Sequence, residues 1–198
     1  QLDEESGAYG LIPDRYPNNG LASMASVGFG LAGIPIGVKN GWIEESEGED
    51  RVIKTLESMK TLDRVNGFYY HFYAHRNGKP ATGSEISNID TAIFIIGALA
   101  AGEYFEGEAL ELAYDIYDDI NWNWYINPTT NRFYMSYNPV TEKFAGAWDY
   151  YGEQLMMYFL GAGSRVEEHR ITKEVYDSFT RNYGTYGNQT FIHSWFGS

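Results

Sequence analysis

Two alternating hydrophobic rhythms constrain this chain more than any other feature. Stretches with apolar residues at helical spacing come in pairs, and a short aromatic, strand-like segment follows a pair. The spacing predicts a helix over 23–38. Its small residues Ala25, Gly28, Gly30, Ala32 and Gly33 permit close helix packing, with a kink at Pro35 and a stop at Gly41. A second helix, over 45–62, sets Val52, Ile53, Leu56, Met59 and Leu62 at helical spacing. Its acidic start suits the positive end of the helix dipole. Residues 88–104 form the most apolar helix, and 108–119 its antiparallel partner across Phe105-Glu106-Gly107. Helices over 151–160 and 172–181 make a third pair. Between pairs, Phe68-Tyr69-Tyr70-His71-Phe72-Tyr73 with a turn at Arg76-Asn77-Gly78-Lys79 reads as a β-hairpin. So does 132–144, with its turn at Asn138-Pro139. Residues 1–20 read as loop, punctuated by Gly7, Gly10, Pro13, Pro17 and Asn18-Asn19-Gly20.

This order predicts an all-α fold: helical hairpins forming about half of an (α/α)6 toroid, with short β-hairpin insertions, in a single partial domain over 1–198. With 43% apolar and 21% charged residues, the chain has the balance of a folded domain. No run of eighteen apolar residues is present, so no membrane span is expected. A net charge of −13 argues against nucleic acid and anionic membrane surfaces as partners. Cysteine is absent, which excludes disulfides, thiolate nucleophiles and Cys-type zinc sites. His75, His169 and His193 show no metal-ligand spacing, and there is no P-loop, nucleotide fingerprint or GxSxG motif. No metal and no other cofactor is expected. Aromatic residues reach 17%, which builds either a large core or a cleft that stacks on the C–H faces of sugars.

Two acidic motifs sit where a β-like segment turns into a helix. In Ser84-Glu85-Ile86-Ser87-Asn88-Ile89-Asp90-Thr91, Glu85 precedes the helix and Asp90 lies in its first turn. The structural reading is capping by Ser87 or Asn88, with Asp90 favoured by the dipole. In Trp148-Asp149-Tyr150-Tyr151-Gly152-Glu153, the structural reading makes Asp149 the cap. Glu153 leads into the apolar run 155–160, and a Glu at the inner end of a helix there would have a raised pKa. Trp148, Tyr150 and Tyr151 beside it suit a sugar platform. The functional reading is paired carboxylates for glycoside hydrolysis, one donating a proton and the other activating water or attacking. His71, in the aromatic segment, reads as a hydrogen-bonded structural histidine or a site residue.

Several segments together resemble a known family. Gly10-Leu11-Ile12-Pro13-Asp14-Arg15, 25–31, Gly67-Phe68-Tyr69-Tyr70-His71-Phe72, 84–92 and Tyr151-Gly152-Glu153-Gln154-Leu155 with Leu160-Gly161-Ala162-Gly163-Ser164 follow the order of the bacterial glucoamylase-type domain. That group includes the endo-β-1,2-glucanases of glycoside hydrolase family 144. The resemblance implies an (α/α)6 toroid and inverting hydrolysis of a glucan without an organic cofactor. It points to Glu85, Asp90 and Glu153 as catalytic candidates and to His71, Tyr70, Trp148 and Tyr151 as substrate-binding residues. Pro80-Ala81-Thr82-Gly83 stands where members carry a bulky aromatic, and Arg165-Val166-Glu167-Glu168 where they continue Pro-Thr-His-Pro. By this resemblance the chain corresponds to the front half of the domain, so a homodimer or a second chain completing the ring is expected. The expected partner is an oligosaccharide or glucan substrate, and the expected location periplasmic or secreted. The competing readings are a non-catalytic carbohydrate-binding module and a helical scaffold whose acids are only caps.

Overall fold

The computed structural model describes residues 8–17 and 20–194. The expected loop at Gly7 and at Asn18-Asn19 lies outside the described residues. The chain divides into two compact units, 1–120 and 121–198.

The first unit is helical. Strand β1 (Leu21–Ser23) runs into α1 (Met24–Lys39), and α2 (Glu45–Thr61) follows. Strands β2 (Arg64–Val65), β3 (Phe68–Tyr69), β4 (Phe72–Ala74) and β5 (Ile86–Ser87) lead to α3 (Asn88–Phe105) and α4 (Gly107–Asp118). Helices α2 and α4 are amphipathic. They bury Gly48, Val52, Thr55, Leu56 and Met59, and Ala109, Ala113, Ile116 and Tyr117, at the expected three- and four-residue steps. Helices α1 and α3 are apolar on every side, the pattern of helices meant for burial all round. Glycine sets their mutual approach. A Cβ on Gly97 would lie 2.0 Å from the Gly28 carbonyl oxygen, and one on Gly28 would lie 2.4 Å from that of Ile93. Of the small residues noted in α1, Gly28 serves this packing, whereas Gly33 faces open space. The helix continues through Pro35 to Lys39, and Gly41, at φ +69°, ends the connection.

The aromatic segment 68–73 is not one hairpin strand. Its first half pairs back through Asn66-Gly67 (Arg64↔Tyr69, Val65↔Phe68), and its second half pairs with β1 (Ser23↔Phe72, Ala22↔Tyr73). Asn66 and Gly67 both take positive φ, the backbone a two-residue hairpin turn requires. A Cβ at Gly67 would also lie 2.3 Å from the Asp119 carbonyl oxygen. The turn at 76–79 does form, with the Ala74 N–H donating to the Lys79 carbonyl at 2.8 Å. Tyr69 and Tyr73 are fully buried, and their hydroxyls donate to the carbonyls of Met59 (3.1 Å) and Asp63 (2.7 Å).

The second unit is built from short pieces. A 3-10 turn, Trp122–Tyr125, precedes β6 (Ile126–Asn127), β7 (Arg132–Phe133), β8 (Ser136–Asn138) and β9 (Lys143–Ala145). Helix α5 (Leu155–Gly163), a 3-10 turn at Glu167–His169, α6 (Lys173–Asp177) and the hairpin β10 (Tyr183–Tyr186) and β11 (Gln189–Ile192) complete it. The predicted hairpin over 132–144 is divided as in the first unit: β7 pairs with β6, and β8 pairs with β9. Helix α5 starts four residues later than expected, and α6 covers half the expected span. Trp122, Tyr125, Phe133, Met157 and Leu160 form the core. Among the described residues of both units, no helix is long and apolar enough to cross a membrane.

Candidate active site

The first acidic motif is organised by backbone hydrogen bonds. Ser87 adopts extended φ/ψ and caps α3, its hydroxyl accepting the Asp90 N–H at 3.2 Å. The same hydroxyl donates to the Asp90 carboxylate at 2.6 Å. The Thr91 hydroxyl donates to the Ser87 carbonyl (2.7 Å) and accepts the Tyr69 N–H (3.0 Å), tying the helix start to β3. The His71 backbone is held from two sides: its N–H donates to the Glu85 carbonyl (2.9 Å), and its carbonyl accepts the Met24 N–H (3.3 Å). The Phe72 N–H donates to the Ser84 hydroxyl at 2.9 Å.

These bonds bring together three residues singled out in the sequence. The His71 Nδ1 lies 2.9 Å from Glu85 Oε1, and its Nε2 lies 3.7 Å from Asp90 Oδ1. The imidazole stacks on Phe72 with ring centroids 3.7 Å apart. The side chains of His71 and Glu85 are 31% and 39% exposed, while that of Asp90 is 10% exposed. Burial pushes the His71 pKa down, but its bond to Glu85 and the charges of Asp90, Glu85 and Asp14 outweigh it and leave the pKa raised. The bond from His71 is the main influence on Glu85 and holds its carboxyl below the ordinary range, against burial. Burial dominates at Asp90 and raises its pKa, against His71 and Ser87. The unit therefore presents a solvent-reachable carboxylate whose pKa is lowered by its bond to His71. Tyr70 lies alongside, edge-on to Tyr73 at 5.9 Å. Among the described residues, no group of three or more His, Asp or Glu is arranged to hold a metal ion.

The second motif differs from its sequence reading. Asp149 does not cap α5. Its Oδ1 accepts from the Thr180 N–H (3.1 Å) and hydroxyl (2.7 Å) and pairs with Arg132 Nη1 (3.0 Å), while Arg132 Nε donates to the Ser178 carbonyl (3.0 Å). Glu153 is exposed, in the turn before α5, rather than at a buried inner end. The inward polar residue is its neighbour Gln154, fully buried, whose amide donates to the Tyr150 carbonyl. Both residues precede α5, in a turn where helical spacing does not set the direction of a side chain, so the late start of the helix removes the basis for placing Glu153 inward. Trp148 is 5% exposed and belongs to the core, where its large apolar area is best placed, so the expected aromatic platform reduces to Tyr150 and Tyr151, each 37% exposed. The Arg132–Asp149–Thr180 clamp had no sequence signal, because its members are 17 and 31 residues apart.

No family model matches the chain. Its fold is that of bacterial glucan-cleaving proteins of known structure. An endo-β-1,2-glucanase from Chitinophaga pinensis matches with a TM-score of 0.80 at 23% identity, over 98% of this chain and 51% of its own. A β-1,2-glucanase from Parabacteroides distasonis matches with a TM-score of 0.77 at 22% identity, over 90% of this chain and 27% of its own. In sequence, an exo β-1,2-glucooligosaccharide sophorohydrolase (non-reducing end) from Parabacteroides distasonis is 25% identical over 130 residues, 59% of this chain and 18% of that protein. The chain thus spans about half the length of the first structural relative and under a fifth of the sequence relative. The names of these relatives describe the group that the sequence motifs resemble.

Proposed function

We propose that this chain contributes to a glycoside hydrolase acting on β-1,2-glucan or a related oligosaccharide. The observation that carries the reading is Glu85: a carboxylate at a helix entrance, reachable from solvent and held ionised by His71. A carboxylate in that state suits the base that activates water, and hydrolysis then needs a separate proton donor. Glu153 is the acidic candidate of the second unit by its motif, and inversion is the stereochemical course. Tyr70 and Tyr151 supply half-exposed rings for the sugar faces. The helical hairpins belong to an (α/α)6 toroid. The exposed apolar side chains Phe29 (69%), Ile36 (57%) and Ile96 (40%) of α1 and α3 are ones that further helices of a ring would cover.

The test is an assay for reducing ends on β-1,2-glucan and starch, using the 198-residue chain alone and joined to any coding sequence found downstream of it. Cleavage of β-1,2-glucan that falls about 100-fold or more in Glu85→Gln, with sugar binding retained, is expected. Binding without turnover in the unaltered protein, in both forms, would favour the carbohydrate-binding module instead.

A further inference from the structure

Resting on that reading, we propose that Asp90 and Ser87 are positioning residues rather than catalytic ones, acting on Glu85 through a doubly engaged His71 cation. A neutral imidazole carries one N–H, so it can donate to only one carboxylate. His71 has a carboxylate facing each nitrogen, Glu85 at 2.9 Å and Asp90 at 3.7 Å. Only the imidazolium satisfies both. The nearer contact has hydrogen-bond length, and the farther one is an ion pair. Asp90 is the inner of the two acids and is fixed by a reciprocal pair of bonds with Ser87. With one carboxylate oxygen taken by the Ser87 hydroxyl, the other is turned to His71. Asp90 thus has both oxygens engaged and little exposure, and it sets the charge and tilt of the ring that orients Glu85. The charged groups facing His71 are Glu85, Asp90 and Asp14, all acidic, so each favours the cation.

This arrangement assigns different consequences to substitutions that look alike. Asp90→Asn keeps the shape and removes the inner charge, so His71 loses part of its reason to stay protonated. Ser87→Ala frees the Asp90 carboxylate to rotate and weakens the same influence less. His71→Asn keeps an N–H donor near the Nδ1 position without charge, whereas His71→Gln places its donor toward the Nε2 position.

The experiment is an NMR titration of the four histidines of the full chain, with His71 identified by its loss in His71→Asn. We expect the His71 midpoint to fall in Asp90→Asn and, by a smaller step, in Ser87→Ala. Glu85→Gln should lower it as well, which provides a second route if Asp90→Asn fails to fold. An unchanged midpoint in a folded Asp90→Asn protein overturns the proposal. So does an unchanged midpoint in Glu85→Gln. The titration needs no substrate, so its outcome stands apart from whether glucan is cleaved. If cleavage is found, His71→Asn should retain more kcat than His71→Gln, and the pH profile of both should lose the limb set by His71. Equal losses in the two variants would also count against the orienting role.

Discussion

The two acidic loops look alike in sequence and are built by different physics. In the first unit, Glu85 and Asp90 flank a serine that caps an eighteen-residue helix, and both carboxylates face one histidine. In the second, α5 has nine residues and no side-chain cap, Asp149 is consumed by Arg132 and Thr180, and Glu153 faces solvent. A carboxylate near a helix start is thus not one kind of object. Where a cap fixes the first turn, the acid's direction is determined and its charge can be put to use. Where the turn is uncapped, a neighbouring residue takes the inward position.

The sharpest way to break this contrast is through the helices beneath the loops. Gly97 meets the Gly28 backbone, which cannot yield, so Gly97→Ala should force α1 and α3 apart. The cost should reach or exceed the upper end of the ~1–3 kcal/mol typical of overpacking. In the second unit, Gly161 meets only the Ile171 side chain at 3.0 Å, which can shift, so Gly161→Ala should cost about 1 kcal/mol or less. Urea unfolding combined with amide exchange in α1, α3 and α5 reads both. Comparable losses would show that the tight helix contact does not distinguish the units.

Next in size is the clamp. Asp149→Ala leaves Arg132 Nη1 and the Thr180 hydroxyl without their acceptor, for an expected loss of about 2 kcal/mol. Arg132→Met should cost less, because Asp149 keeps its bonds from Thr180. Thermal unfolding of the two variants and the double variant tests this, and purely additive losses would mean that the pair is not coupled.

The helices were legible because their apolar period is strong. Observed bounds for α1, α2, α3 and α4 fall close to those read from spacing. The strands were not, because each is only two to four residues long, too short to show a clear alternation, and β1 finds its partner β4 far along the chain. Val65-Asn66-Gly67-Phe68 carries a hairpin signal, an Asn-Gly pair between apolar residues, which the louder aromatic run beside it masks. The Tyr186-Gly187-Asn188-Gln189 turn of β10–β11 is the same kind of signal. At the site, Ser87 as cap and Asp90 in the first turn follow from local rules. The approach of His71 to both acids does not, since it depends on how β4 pairs with β1.

The pH dependence of stability sharpens the contrast further. Glu85, with its depressed pKa, contributes stability above its unfolded pKa and loses it as pH falls through the folded value. His71, with its raised pKa, contributes below its unfolded pKa of 6.5 and loses that as pH rises through the folded value. Asp90 opposes them, since its raised pKa favours the folded state at low pH. The Glu85–His71 pair therefore adds most from mildly acidic to neutral pH. His71→Asn should flatten the decline on the alkaline side, as measured by urea midpoints across pH. An unchanged alkaline limb would remove His71 as its source.

The smallest expected effect closes the comparison. Glu153 is exposed and lies outside the helix, so Glu153→Gln should change stability by no more than about 0.5 kcal/mol. Glu85→Gln removes the charge that His71 answers, so it should cost more, and only where His71 is protonated. The informative quantity is the difference between the two variants at mildly acidic pH and again well above the His71 midpoint. It should be present at the first and vanish at the second. A stability loss in Glu153→Gln as large as that in Glu85→Gln, with the same pH profile, would mean that the second loop holds its acid as firmly as the first, and that the cap is not what separates them.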